Sequence, residues 1–354
     1  SQIVGALRGN EAWRVGDPAM GATFAQTIPP SEAQRSLAVA GEAFILLENF
    51  YLEDRLFGLG HDLTHFDPIS PAFDEVDHYI GSAELGRGFF GAYPNGGEER
   101  VWTTDGSASG TRALFPAEGW AFPVDAVRSA DDWWVLATVY LGVESELQLW
   151  RTDGTVAGSS MLSSLPVEEE AEGSRVAAIP GWILFTSPLP DSRSELWSVP
   201  AEGGSATALL PPGVASLGRF PSLSAVSGRV FFRACDVAHG CELWVSEGTP
   251  ETTRLFQDIR PGASPSSPDQ LLTVGNELVF TADDGLHGIE PWHVVVDGGA
   301  ACREEHGALC LDDGRFRVRA SWKAPVAEVG DAGELPLTPD TGAFWFFDPD
   351  NVEL

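Results

Sequence analysis

Gly240-Cys241-Glu242-Leu243-Trp244-Val245-Ser246-Glu247-Gly248-Thr249 decides the fold. A short apolar run built around one tryptophan leads into a polar turn with glycine at its third position, and the same phrase recurs along the chain. Arg100-Val101-Trp102 leads into Thr104-Asp105-Gly106-Ser107, and Gln148-Leu149-Trp150 into Thr152-Asp153-Gly154-Thr155. Working outward in both directions, the aromatic position is filled by Trp13, Phe57, Trp102, Trp150, Trp197, Trp244 and Trp292, at intervals of 44, 45, 48, 47, 47 and 48 residues. A fixed period in this range marks a stack of equivalent supersecondary units rather than one continuous domain.

Each unit reads as four short strands. In the last one, 270–274 is an apolar run broken at Gly275-Asn276, 277–282 is a second, Asp283-Asp284-Gly285 turns the chain, and 289–296 is a third. The fourth position is seen one unit earlier, in 253–259. Short β-rich runs punctuated by Gly, Asp and Asn are the pattern of antiparallel hairpins. Four strands every 45 or so residues predict an all-β, seven-bladed β-propeller, since twisted four-stranded sheets bury both faces by packing radially. The recurring tryptophan is expected between adjacent blades. The alternative is a six-bladed ring, in which the Trp13 and Trp292 strands would compete for one place.

The repeat resembles that of the bacterial ELWxxDGT-repeat proteins. Its best copies run from Gly240-Cys241-Glu242-Leu243-Trp244 through Asp258-Ile259-Arg260-Pro261-Gly262, and over His287-Gly288-Ile289-Glu290-Pro291-Trp292. The likeness covers about residues 10–297, is weaker around Phe57 and after Trp197, and implies an extracytoplasmic β-propeller with no catalytic residues to carry over.

From about residue 299 the repeat stops, which divides the chain into a propeller, 1–298, and a C-terminal β-domain, 299–354. The Cys302/Cys310 pair, the strand Gly314-Arg315-Phe316-Arg317-Val318 and the segment Asp340-Thr341-Gly342-Ala343-Phe344-Trp345-Phe346-Phe347 resemble a small β-domain at the C-termini of many secreted bacterial proteins. In that family further strands follow, so the domain is expected to be a partial, sandwich-like one. Four consecutive aromatics, Phe344, Trp345, Phe346 and Phe347, do not alternate as a half-solvated strand would. They are expected to be an interface with another protein chain or a second copy of this one.

Composition narrows the function classes. The 354 residues carry 52 acidic against 21 basic side chains, a formal charge of −31. That surface repels phosphate backbones and anionic lipid, which argues against nucleic-acid binding. The longest apolar run, 133–143, is too short for a membrane span and reads as a buried strand. The close pairs Cys235/Cys241 and Cys302/Cys310 fit two local disulfides better than zinc, which prefers shorter spacing within a pair. Disulfides place the chain in an oxidising compartment: extracellular, cell-surface or periplasmic.

Candidate chemistry is sparse. His61 and His65 have helical ligand spacing but sit in a loop pattern, with Asp62 where a zinc protease needs glutamate. His239 and His287 occupy equivalent repeat positions, which points to a turn role. Acidic runs occur at Asp131-Asp132, Glu168-Glu169-Glu170, Asp283-Asp284 and Asp312-Asp313. Of these, Asp283 and Asp284 are the weak candidates for calcium, which takes hard oxygen ligands from acidic, glycine-bearing loops; no other cofactor is expected. The sequence therefore reads as an exported, non-enzymatic interaction or scaffold propeller, a component of a surface or extracellular assembly. The alternative is a glycan-acting hydrolase or lyase using central-channel carboxylates.

Overall fold

The computed structural model describes residues 54–58, 68–82, 84–94, 97–115, 119–168, 171, 173–189, 193–218 and 221–296, and the backbone alone of further strands at 4–8, 11–15, 22–27, 34–40, 43–49, 309–312 and 317–320. Strands β1 (Val4–Arg8), β2 (Glu11–Val15) and β3 (Ala22–Thr27) form a first sheet, with Trp13 on its middle strand. The second unit is β4 (Gln34–Ala40), β5 (Ala43–Asn49), β6 (Asp54–Leu59) and β7 (Phe66–Pro68). The third is β8 (Phe73–Gly81), β9 (Gly88–Pro94), β10 (Arg100–Thr104) and β11 (Arg112–Phe115). One residue pair, Asp54 with Phe73, joins these two units edge to edge.

The fourth sheet is the meander β12 (Trp120–Ser129), β13 (Asp132–Leu141), β14 (Glu144–Thr152), β15 (Ser160–Val167). The fifth is β16 (Val176–Ile179), β17 (Trp182–Leu189), β18 (Arg193–Pro200), β19 (Thr207–Ala208). In the sixth, β20 (Val214–Ser216) and β21 (Leu223–Val226) both pair with β22 (Arg229–Asp236), which continues to β23 (Gly240–Ser246) and β24 (Arg254–Gln257). The last sheet begins with β25 (Asp269–Val274), β26 (Glu277–Asp283) and β27 (Ile289–Val295). It is extended by β28 (Leu309–Asp312) and β29 (Arg317–Ala320) in the order β27-β29-β28, so a strand from beyond residue 299 fills the fourth position.

The periodic aromatics hold one register. Trp102 stands opposite Phe90, Trp150 opposite Val135, Trp197 opposite Phe185, Trp244 opposite Phe232 and Trp292 opposite Phe280. On the other side of the strand, the pairing shifts by a bulge next to Trp13, Trp102, Trp150 and Trp244. A bulge bends and twists its strand locally, and its recurrence at one repeat position marks it as part of the unit's design.

Successive sheets lie face to face, and the period of two sends alternate residues of one strand into two different cores. On β22, Val230 and Phe232 enter the core shared with the fifth sheet, while Phe231 enters the core shared with the last. On β13, Trp134 and Leu136 face the fifth sheet, and Val135 and Ala137 the third. Five such cores join the second sheet to the last, and Trp102, Trp150, Trp197, Trp244 and Trp292 each enter the core on the side of the preceding sheet. Trp244 and Trp292 are buried, at 5% and 4% exposure. Trp102, Trp150 and Trp197 are half-buried. Trp150, for one, stacks flat on Phe115 at 4.2 Å.

The Asp-Gly-Thr phrase is a self-bonded turn after the third strand. The hydroxyls of Thr104 and Thr111, of Thr152 and Ser159, and of Ser246 and Thr253 hydrogen-bond at 2.7, 2.7 and 2.8 Å. The N–H groups of Gly106, Gly154 and Gly248 donate to the first hydroxyl of each pair, and all three glycines have φ between 86° and 99°. Side chains rarely adopt that conformation, so glycine is required there. The turn also touches the preceding sheet: a Cβ at Gly154 would meet Arg87, and one at Gly248 would meet Trp182.

Cys235 and Cys241 face each other across the β22–β23 hairpin and form a disulfide. So short a closed loop stabilises by about 2 kcal/mol in the chain-entropy account. Reduction should therefore add about 2 Da to the intact mass for this bridge and lower the unfolding free energy by about that amount. No mass change on reduction would remove the bridge. Cys302, the side chain of Cys310, the segment Phe344 to Phe347, His61, His65 and the side chain of Trp13 lie outside the described residues. Among the described residues no helix is long and apolar enough to cross a membrane.

Candidate functional site

Asp77, His78 and Glu99 are the one group of three potential metal-ligating side chains that converge among the described residues, with one ligand atom from each within 4.8 Å of the others. Asp77 and His78 lie side by side on β8, where successive side chains normally point to opposite faces. Here the β8–β9 pairing is interrupted between Asp77 and Ile80, and His78 takes φ 49°. That bulge turns Asp77 and His78 toward each other, with Nδ1 of His78 2.8 Å from Oδ1 of Asp77. Positive φ at a non-glycine residue is a strained conformation that concentrates at functional sites.

Glu99 comes from the β9–β10 hairpin. Its carbonyl accepts the Ala121 N–H at 3.1 Å, which pins the hairpin to the first strand of the fourth sheet. Its side chain is almost entirely buried, at 3% exposure. No N–H or hydroxyl of the described residues reaches Oε1; the carboxylate of Asp77 faces it instead. Between them lies Gly91, opposite Asp77 in the ladder. A Cβ there would collide with Glu99 Oε1 and Asp77 Oδ1 and stand 3.1 Å from Phe122 Cβ.

The fourth sheet supplies aromatic walls. His78 stacks on Phe122, rings 4.0 Å apart and 14° from parallel. Tyr93 meets Trp120 edge-on at 6.3 Å, and Tyr140 lies 6.1 Å from Phe122. Together these groups line an open cleft of about 580 Å³, with Trp120 half exposed at its rim. Burial, and then the hydrogen bond and charge of Asp77, push the Glu99 carboxyl up to about 8, against the pull of a Tyr93 hydrogen bond. Asp77 is held below its usual range: burial works to raise it, but His78 and the shared proton of Glu99 prevail. Burial and the nearby acids push Tyr93 up to about 12. At neutral pH the two carboxyls therefore hold one proton between them, the behaviour of like charges that cannot both ionise at short range.

The residues singled out from sequence lie elsewhere. His239 and His287 sit in twin turns. Nδ1 of each lies within 2.9 Å of the aspartate three residues before it, Asp236 or Asp284, and that aspartate also accepts two backbone N–H groups. Burial tends to raise both aspartates, and the histidine and backbone bonds lower them on balance. Asp283 accepts from the Gly285 N–H and from Arg260. Asp283 and Asp284 thus accept from donors of their own turn and, for Asp283, from Arg260. Asp131-Asp132 and Glu168 contribute to no converging group among the described residues.

Neither His78 nor Glu98-Glu99 stands out in the sequence pattern. The available signal was the adjacency Asp77-His78 followed, one hairpin later, by a paired acid after Asn95-Gly96-Gly97. The segment before Trp102 carries no Gly-x-Glu-Leu to draw attention.

No protein-family model and no curated protein matches the chain. Among solved structures it is similar to puromycin hydrolase, with a TM-score of 0.43, 15% identity, and coverage of 82% of this chain and 51% of that one. It is also similar to TolB from Acinetobacter baumannii, with a TM-score of 0.34, 13% identity, and coverage of 69% and 58%. The chain spans about half the length of puromycin hydrolase.

Proposed function

We propose that the chain is a seven-bladed β-propeller of the ELWxxDGT-repeat kind, working as an exported, non-enzymatic interaction module in a surface or extracellular assembly. The propeller reading is supported by sheet-on-sheet cores in which each of the five described repeat tryptophans, Trp102 to Trp292, faces the preceding sheet. Seven units rather than six are supported by the separate sheets that hold Trp13 and Trp292. Export is supported by the Cys235–Cys241 disulfide.

One observation carries the choice between binding and catalysis. The converging acids come from the third sheet alone and lie in mutual contact, while the fourth sheet contributes aromatic surface. Glycosidases hold their two carboxyls roughly 5–10 Å apart so that a sugar and water fit between them. The unequal protonation of Asp77 and Glu99 is the one feature that favours the hydrolase alternative, since acid and base roles need such a split. Their contact leaves no room for the scissile bond.

Light scattering on the full chain tests the reading, with a solution mass at least twice that of one chain as the expected result. A strict monomer overturns the assembly role. Reducing-end release from a polysaccharide panel, lost in Glu99→Gln, would establish the hydrolase instead.

A further inference from the structure

We propose that Asp77, His78 and Glu99 bind one divalent transition-metal ion of the zinc or manganese type, in the cleft between the third and fourth sheets. The inference does not depend on the propeller reading or on the assembly role, because it rests on the geometry of one hairpin and its neighbouring strand.

Three observations converge. The first is the buried carboxylate: Glu99 is 3% exposed, and its Oε1 meets no donor among the described residues, only a second carboxylate. Two acceptors facing each other away from water are repulsive until something positive lies between them. The second is Gly91, which is absent from the residues of positive φ and lies within β9, where backbone conformation makes no demand for glycine. What glycine supplies there is space, since a Cβ would fill the gap between Asp77 Oδ1 and Glu99 Oε1. The third is the strained bulge that turns His78 to the same side as Asp77, at a position where a regular strand would send the imidazole to the opposite face.

Donor chemistry selects the ion. Two carboxylate oxygens and one imidazole nitrogen make a mixed set that suits zinc, manganese or ferrous iron. Calcium takes six to eight oxygens and gains little from an imidazole. Three protein ligands leave at least one coordination position open, and here that position faces the cleft lined by Tyr93, Trp120, Phe122 and Tyr140. The Tyr93 hydroxyl, hydrogen-bonded to Glu99, is placed to orient that ligand from outside the coordination sphere. A metal held in this way would recruit a small oxygen- or nitrogen-donor ligand whose apolar face lies on the aromatics.

The test uses the full chain, stripped with a chelator and dialysed, then titrated at pH 7.5 with zinc, manganese and calcium chlorides separately. Calorimetry and competition with a chromophoric chelator report affinity and stoichiometry. The expected result is one equivalent of zinc or manganese bound more tightly than calcium, with affinity weakened at least about tenfold in Glu99→Gln and in His78→Asn. Asparagine is chosen because it tolerates the left-handed conformation of residue 78, so that variant should keep its fold. Gly91→Ala, with all three ligands intact but the gap filled, should also lose the ion; a circular dichroism melt of each variant checks folding. Absence of a one-to-one zinc or manganese complex in the wild-type chain overturns the proposal and leaves a shared proton as the positive charge between the carboxyls. Equal affinity in His78→Asn and wild type overturns it too, placing the bound ion elsewhere, as does tighter binding of calcium than of zinc or manganese.

Discussion

Trp244→Ala should destabilise the protein by about 3–5 kcal/mol, the range for removing a large buried aromatic and leaving a cavity. Trp244 is 5% exposed in the core between the fifth and sixth sheets, against Leu184, Leu196, Val230 and Phe232. Its indole N–H has no partner among the described residues, so the loss is one of burial and packing, not of a hydrogen bond. Trp244→Phe should therefore recover much of the stability, leaving a deficit of roughly 1–2 kcal/mol for the smaller ring. The half-buried Trp197, at the equivalent position one unit earlier, should cost clearly less than Trp244 when replaced by alanine. Thermal and urea unfolding of the four proteins give the comparison. If Trp244→Ala melts within a degree or two of wild type, the register that makes these tryptophans equivalent is wrong.

That register is legible in the sequence because it is written twice, once in aromatics and once in turns. A large aromatic ring every 44–48 residues is a packing requirement repeated along the chain, and glycine at 106, 154 and 248 is a backbone requirement repeated by the turns. Both are local demands on residue type, so they survive in sequence. The Asp77-His78-Glu99 group is different in kind. Asp77 and Glu99 are brought together by a bulge in β8 and the length of the β9–β10 hairpin, and the space between them by the absence of a Cβ at Gly91. None of these is periodic, and in a chain with 52 acids no pair of carboxylates stands out by spacing alone. Asp283 and Asp284 did stand out, being adjacent to each other and to a glycine. Their oxygens serve a turn, which uses the same residue types for a different reason: aspartate caps the backbone N–H groups two and three residues on.

Glu242 is the motif residue whose role neither periodicity nor composition disclosed, and its replacement should rank with that of Trp244. The side chain is fully buried on β23, two residues before Trp244. Oε1 accepts the Ser266 N–H at 2.8 Å, and Oε2 accepts the Ile259 N–H at 2.9 Å and the Ser266 hydroxyl at 2.5 Å. Ile259 and Ser266 lie near the two ends of the linker from the sixth sheet to the last. Glu242→Ala strands two backbone N–H groups and a hydroxyl in the interior, at about 1–3 kcal/mol for each unsatisfied group, so a total loss of at least about 3 kcal/mol is expected. Burial raises the Glu242 carboxyl above its ordinary value despite these three bonds. Stability from this group is therefore fully present below the unfolded value and declines as pH rises toward the folded one, which makes removal of the charge alone favourable near neutral pH. Glu242→Gln separates the two effects. It removes the buried charge and keeps the shape, but its amide NH₂ points a donor at N–H groups that need an acceptor. If hydrogen bonding to the linker dominates, the glutamine variant is destabilised by roughly 1–3 kcal/mol and amide exchange at Ile259 and Ser266 accelerates. A glutamine variant as stable as wild type at pH 7, with exchange unchanged at both amides, would mean that Glu242 fills space between sheets and does not clip the linker to β23.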